Sequence, residues 1–109
     1  MSLGIAVRDG SVYLPAAVVE TYLPGVAAVV VLIRDQTLMV LPVHHATAGG
    51  CLLKLRNAAG DRVAQARDVF QDQGLLDMAV SDLPVHWNSE MCALCSPIPE
   101  DLAKLVSRS

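Results

Sequence analysis

Aromatic residues are scarce in this chain of 109 residues: they make up 4% of it, against 53% for all hydrophobic residues. The core must therefore be built from aliphatic side chains. Cysteine is also scarce, and the odd count of three (Cys51, Cys92 and Cys95) excludes a complete set of disulfides and indicates a reduced, cytoplasmic protein. No apolar run reaches the ~20 residues of a membrane-spanning helix. No basic segment followed by an apolar one opens the chain, so we expect no signal peptide.

Charge is limited as well. Only 17% of the residues are charged, and 8 Lys and Arg face 11 Asp and Glu, which gives a formal net charge of −3. This balance argues against a surface coated with positive charge for general binding to nucleic acid or acidic membranes, although a local basic patch is compatible with it. Two common motifs of catalytic sites are missing, Gly-x-Ser-x-Gly and a glycine-rich phosphate loop. We therefore expect neither an enzyme nor a bound cofactor.

The dominant feature that is present is an apolar run at residues 26–33, Val-Ala-Ala-Val-Val-Val-Leu-Ile. Five of these eight residues are β-branched, which favours a strand over a helix. Because a strand points alternate side chains to opposite faces, a strand that is apolar throughout must bury both faces. The run therefore predicts a closed sheet, a sandwich or a dimer core, and we expect a homodimer or a higher oligomer.

The whole chain predicts a single domain, 1–109, that is mainly β with short helices. Turn residues and prolines divide it into two units of similar order, 5–43 and 51–97, each a strand, a short helix and a β-hairpin. A last helix is predicted at 99–107, because a proline and two acids stand at its beginning. The two units indicate either an internal tandem repeat or two independent occurrences of a common arrangement.

The first unit contains Gly10-Ser11-Val12-Tyr13-Leu14-Pro15, then a short helix at 16–23, then a hairpin from 26 to 42. This order resembles the SpoVT/AbrB swapped-hairpin superfamily, whose pattern is Gly-Arg-hydrophobic-x-hydrophobic-Pro, a short amphipathic helix and a hairpin that ends near a proline. Proteins of the MraZ family carry this domain twice. The resemblance covers about a third of the chain. It implies a small intertwined barrel, a homodimer, DNA binding and transcription regulation.

One position departs from the family pattern. Ser11 stands where the family has arginine, and an uncharged serine cannot attract a phosphate. In the second unit Arg62 follows Gly60-Asp61, which is one position away from the place that the pattern gives to arginine. The resemblance therefore supports the swapped-hairpin barrel more strongly than it supports DNA binding.

Half of the positive residues lie close together in the sequence: Lys54, Arg56, Arg62 and Arg67. Alternation predicts that Lys54 and Arg56 share one strand face, with Arg62 across a hairpin. These four are the candidate residues for binding an anion or a nucleic acid, with DNA or RNA as the partner. The alternative is a solvated sheet face whose charges discourage edge pairing, and the lack of interleaved aromatic residues favours it.

Cys92 and Cys95 have the Cys-x-x-Cys spacing of zinc and redox sites, and His86 stands nearby in the sequence. The residues around them predict a strand, in which two positions three apart point to opposite faces. The alternative is that the cysteines are small buried apolar residues. A metal-binding module on these three residues is therefore a minor hypothesis. The first hypothesis is a nucleic-acid-binding regulator, and its alternative is a protein-binding accessory or scaffold subunit.

Overall fold

The computed structural model describes residues 3–43 and 50–99, which form nine strands and two short helices. In chain order these are β1 (Gly4–Arg8), β2 (Ser11–Leu14), α1 (Ala16–Tyr22), β3 (Ala28–Arg34), β4 (Thr37–Val43), β5 (Cys51–Leu55), β6 (Arg62–Gln65), α2 (Arg67–Asp72), β7 (Ala79–Pro84), β8 (His86–Asn88) and β9 (Ala93–Pro97). The predicted class, mainly β with short helices, is confirmed. The helix predicted at 99–107 lies outside the described residues apart from Pro99. In the ranges described, neither helix has the length and apolar character needed to cross a membrane.

The strands form one antiparallel sheet in the order β7-β1-β2-β6-β5-β3-β4-β9-β8. The two ends of this order come together, because β7 and β8 follow each other in the chain with only Val85 between them. The hydroxyl of Ser96 in β9 donates a hydrogen bond to the carbonyl of Pro84 in β7 (2.8 Å), and the amide of Val85 donates to the carbonyl of Leu3 (3.3 Å). The sheet is therefore a nearly closed barrel, in agreement with the coarse prediction of a small barrel.

Strands of the two predicted units alternate in this sheet. The β1–β2 hairpin lies beside the β5–β6 hairpin through the pairing of β2 with β6. On the far side of each hairpin lies the strand that follows the helix of the other unit, so that β7 pairs with β1 and β3 pairs with β5. Neither unit forms a separate sheet, and the two interlock. That the units arose as a tandem repeat stays a prediction.

Two-residue turns set the register of the two N-terminal hairpins. Asp9 and Gly10 connect β1 to β2 with φ values of 53° and 75°, and Asp35 and Gln36 connect β3 to β4 with φ values of 52° and 59°. Positive φ at both central residues is the signature of the type I′ turn, whose twist matches that of the flanking strands. The predicted hairpin around residues 34–36 is confirmed.

The barrel interior is aliphatic, with Val18 from α1 and Phe70 from α2 packed into the same core. Along β3 the burial alternates: Val29 and Val31 are 0% and 2% exposed, whereas Leu32 is 39% exposed. One chain therefore buries only one face of this strand, and the expected burial of the other face by a second copy stays a prediction. A closed sheet has one interior, so that the second face of each strand lies on the outside of the barrel.

The segment after α2 differs from its prediction. A hairpin of residues 83–87 with 91–95 is expected from the sequence, but the residues up to Pro84 belong to β7 and pair with β1. Leu83 lies opposite Ile5 and is 2% exposed, so the main core holds this residue and the hairpin begins only at His86. The β8–β9 hairpin therefore runs through a longer turn, which contains Cys92 with a φ of 52°.

We expect Gly10→Ala to destabilise the fold more than Gly25→Ala does. Both glycines have positive φ, +75° and +72°, but a Cβ at Gly10 would lie 2.8 Å from the Cα of Arg67, whereas the space at Gly25 is open. Backbone strain alone predicts a loss of about 1 kcal/mol for Gly25→Ala. The added clash predicts a loss of about 3 kcal/mol for Gly10→Ala. Urea unfolding followed by circular dichroism measures both, and equal losses would contradict the close contact with Arg67.

Candidate nucleic-acid interface

A row of side chains crosses four neighbouring strands on the outer face of the sheet. Tyr13 of β2 lies opposite Ala6 of β1 and Val63 of β6, and Val63 lies opposite Lys54 of β5. Residues directly opposite each other in antiparallel strands share a face. The adjacent residues on the same strands are all buried in the core: Val7, Val12, Leu53 and Ala64. The row of Tyr13 therefore faces away from the core.

Two guanidinium groups approach the ring of Tyr13. The Cζ atom of Arg56 lies 4.6 Å from the ring centroid, and the Cζ atom of Arg8 lies 5.5 Å from it. Both distances are within the ~6 Å over which a cation is attracted to an aromatic face. Arg8 ends β1 and Arg56 follows the end of β5, so two strands that are separated by β2 and β6 bring their positive charges to one ring.

A cavity of about 350 Å³ opens beside this ring. Arg8, Tyr13 and Arg56 line it together with residues 79–81 of β7, and we call it the Tyr13 cleft. Among the described residues that line the cleft, none carries a carboxylate. A smaller cavity of about 150 Å³ shares Tyr13 and Arg56 and is lined by Asp61 and Asp82. The cleft thus has a cationic and aromatic part, next to a smaller part that contains acids.

Asp61 fixes the loop beside Arg56. Its Oδ1 accepts a hydrogen bond from the amide of Ala16 (2.8 Å) and so caps the N-terminus of α1. The N-cap residue itself, Pro15, has no side chain that can do so. Its Oδ2 accepts a hydrogen bond from Nδ2 of Asn57 (3.0 Å). These hydrogen bonds hold the pKa of Asp61 below its ordinary value. The hydrogen bond from Asn57 has the largest effect, followed by that from Ala16, and the positive charge of Arg56 adds to them. The ionised carboxylate therefore ties the β5–β6 loop to the start of α1.

The four predicted basic residues do not form one surface. Lys54 lies in the outer row and donates a hydrogen bond from Nζ to Oε1 of Gln65 (3.2 Å), and Arg56 lies in the Tyr13 cleft. Arg62 lies opposite Leu55, one position along from the pair that contains Lys54, so its side chain starts from the other face of the sheet. Arg67 begins α2 and donates a hydrogen bond from Nη1 to the carbonyl of Asp9 (3.4 Å), at the β1–β2 turn.

Arg8 and Tyr13 are not among the site residues predicted from the sequence. A signal for them exists in the Asp9-Gly10 turn, because a two-residue hairpin turn places Arg8 opposite Ser11 and Ala6 opposite Tyr13. Alternation then predicts that Arg8 and Tyr13 share a face. What no local pattern gives is the approach of Arg56, which depends on the pairing of β2 with β6.

The three residues of the minor metal hypothesis, Cys92, Cys95 and His86, differ in burial and do not form one cluster. Cys92 is exposed in the β8–β9 turn, and its thiol donates a weak hydrogen bond to the carbonyl of Ser89 (3.6 Å). Cys95 is buried in β9 and lies opposite His86 of β8. In residues 3–43 and 50–99, no group of three or more His, Cys, Asp or Glu side chains is arranged so that it could hold a metal ion.

Comparisons with protein-family models, with curated protein sequences and with solved structures give no match in any of the three. The chemical character of the Tyr13 cleft therefore carries the functional argument. Guanidinium groups bind phosphate through two parallel hydrogen bonds. Tyr13 is half-buried, and its ring already has both guanidinium groups beside it. The chemistry of the cleft therefore suits an anion such as phosphate.

We expect Asp61→Asn to lower stability at neutral pH and to lose this effect in acid. The pKa of Asp61 is lower in the folded protein than its ordinary value of 3.8, so its charged form contributes stability above that pH. The contribution is lost as the pH falls through the folded-state pKa. Urea midpoints of the wild type and the variant should therefore differ at pH 7 and converge towards pH 3.

The matched control is Asp77→Asn, which removes an exposed carboxylate with no side-chain hydrogen bond among the described residues. It should leave the urea midpoint almost unchanged at pH 7. A gap between the wild type and Asp61→Asn that stays constant from pH 7 to pH 3 would show that the charge of Asp61 contributes nothing.

Proposed function

We propose that this protein is a non-enzymatic regulator of the swapped-hairpin type that binds duplex DNA through the Tyr13 cleft. The observation that carries the proposal is the approach of Arg8 and Arg56 to the ring of Tyr13 on the outer face of the sheet. Lys54, which shares that face, extends the positive charge along the row. Such a cluster attracts the phosphate backbone in a protein whose net charge is negative, so the contact is local and sensitive to salt.

The position of Arg8 supports the family resemblance at the point where the sequence departs from it. Ser11 replaces the arginine of the family pattern, but Arg8 lies directly opposite Ser11 in the β1–β2 hairpin. The Cβ atoms of such a pair are roughly 5 Å apart. The side chain of Arg8 therefore starts beside position 11 on the same face and carries its charge to the ring of Tyr13. The charge that the motif lacks is supplied from the neighbouring strand.

The interleaving of the two units supports the swapped-hairpin type. In an intertwined barrel each hairpin is completed by a strand from the other unit. That is the relation of β7 to the β1–β2 hairpin and of β3 to the β5–β6 hairpin. A tandem arrangement of the MraZ kind places both units in one chain, so that one chain can supply both hairpins.

The outer face of β3 and β5 favours a second copy of this chain as a partner. Leu52 lies opposite Ala28, and alternation along β3 places Val30 and Leu32 on the same face. Leu52 is 65% exposed and Leu32 is 39% exposed. Contiguous exposed apolar side chains are typical of interaction sites. We propose that a second copy covers this face and that the protein binds DNA as a homodimer.

We expect the double variant Arg8→Gln/Arg56→Gln to bind duplex DNA more weakly and with less dependence on salt. Each arginine that contacts a phosphate contributes about 1 to the slope of log K against log salt concentration. Fluorescence anisotropy of a labelled duplex, at a series of salt concentrations, should show a slope reduced by about 2.

Arg34→Gln is the matched control, because it removes an exposed arginine of β3 that does not line the cleft. It should keep the wild-type slope. Equal slopes for the double variant and the wild type, or no binding of duplex by the wild type at low salt, would contradict the proposal. Tighter binding of single-stranded DNA or of RNA than of duplex would change the ligand class.

We expect light scattering to give a mass twice the 11.6 kDa of one chain for the wild type. Leu32→Thr/Leu52→Thr should shift the mass towards that of a monomer, because threonine keeps the preference for strand but removes apolar area. Leu55→Thr is the control: Leu55 is 58% exposed but lies one position along from the outer row. A wild type that stays monomeric at micromolar concentration would contradict the homodimer.

A further inference from the structure

Three sulfur or imidazole side chains lie side by side across β4, β9 and β8. Cys95 of β9 lies opposite Met39 of β4 on one side and opposite His86 of β8 on the other. Directly opposite residues share a face and have Cβ atoms roughly 5 Å apart. The three side chains therefore start from one line on the outer face of the sheet, with Cys95 in the middle and the longer side chains of Met39 and His86 on either side of it.

A fourth soft group, Met91, belongs to the same place. It lies in the β8–β9 turn and is 42% exposed. The turn is held by Asn88, whose Oδ1 accepts hydrogen bonds from the amides of Glu90 (3.0 Å) and Met91 (3.1 Å). All four side chains line one cavity of about 320 Å³, which we call the sulfur pocket.

We propose that the sulfur pocket binds one Cu(I) ion through Cys95, Met39, Met91 and His86. Thiolate and thioether sulfur are the ligands that select Cu(I), and imidazole is a common third type. Two of the four ligands are methionine thioethers, which are soft neutral donors. The exposed His86 and Met91 lie at the surface, and the buried Met39 and Cys95 lie at the base, so the pocket has an entrance.

The charges around the pocket favour a monovalent ion over zinc. Arg34 and Asp35 both line the cavity, and their charges offset each other. Binding releases the proton of the Cys95 thiol to solvent and forms a Cu–S bond, so that Cu(I) and the thiolate together are neutral. A divalent ion with the single thiolate would leave one net positive charge in the pocket, which Arg34 and Asp35 together do not neutralise. No oxidation or reduction takes place in this step.

The state of Cys95 in the metal-free protein fits this role. Burial to 3% exposure protects it from larger oxidants. The only hydrogen bond of its Sγ among the described residues is a long one to the carbonyl of Ala93 (3.9 Å), which a metal can replace at little cost.

The test is competition for Cu(I) against the coloured chelator bicinchoninate under ascorbate. The wild type should take one Cu(I) per chain from the chelator and release one proton per ion in weak buffer. Cys95→Ser should weaken binding at least about tenfold, and Met91→Leu, Met39→Leu and His86→Gln should each weaken it by about tenfold. Met91→Leu is the variant least able to disturb folding, because its side chain is largely exposed in a turn.

Cys92→Ser and Cys51→Ser are the matched controls, since both remove a cysteine that does not line the pocket. Both should keep wild-type affinity. Three results would overturn the assignment: no transfer of Cu(I) from the chelator to the wild type, loss of binding in Cys92→Ser with Cys95→Ser unaffected, or Zn(II) binding at the same four residues with an equal affinity. X-ray absorption of the copper complex should show sulfur and nitrogen neighbours, and a shell of oxygen alone would also contradict it.

Discussion

The pairing of β2 with β6 is the contact on which the rest of the structure depends. It joins strands from opposite halves of the chain, and its central pair, Val12 and Ala64, is completely buried. A long connection between paired strands is less costly than it looks, because each doubling of loop length adds only about 0.6 kcal/mol to the entropy of closure. Full burial of one valine or leucine contributes about 2 kcal/mol. The burial of Val12 and Leu14 alone therefore exceeds the extra cost of the long connection.

The register of this pairing also decides where the candidate site lies. In the observed register Val12 faces the core and Tyr13 faces outwards, and a slip by one residue would exchange them. The same pairing brings the end of β5 close enough for Arg56 to reach Tyr13. It also brings Asp61 to the amide of Ala16, where it caps α1. Stability and the cationic cleft thus depend on one register.

Local patterns in the sequence predict the elements well but not their long-range partners. Alternation and the Asp9-Gly10 turn give β1 and β2, and the β-branched run gives β3, because these signals depend on a few neighbouring residues. The predicted hairpin of residues 83–87 with 91–95 is wrong at its beginning. An apolar Leu83 suits both a hairpin strand and β7, and only its pairing with Ile5 of β1 assigns it to β7. The predicted basic cluster omits Arg8 for the same reason. Lys54 and Arg56 are near each other in sequence, but Arg8 is brought near Arg56 only by three strand pairings.

The outer face of the barrel is not polar throughout, as a face exposed only to water would be. A barrel with a fully hydrated exterior needs polar residues at alternate positions of every strand. β1, β2 and β5 approach that pattern with Arg8, Tyr13 and Lys54, whereas the outer positions of β3 are apolar and those of β4 and β9 include Met39 and Cys95. Met39 and Cys95 are already buried within one chain, whereas Leu32 on the outer face of β3 is left exposed. The chemistry of the outer face thus changes along the sheet, from cationic and aromatic at Arg8, Tyr13 and Lys54, through aliphatic on β3, to sulfur on β4 and β9.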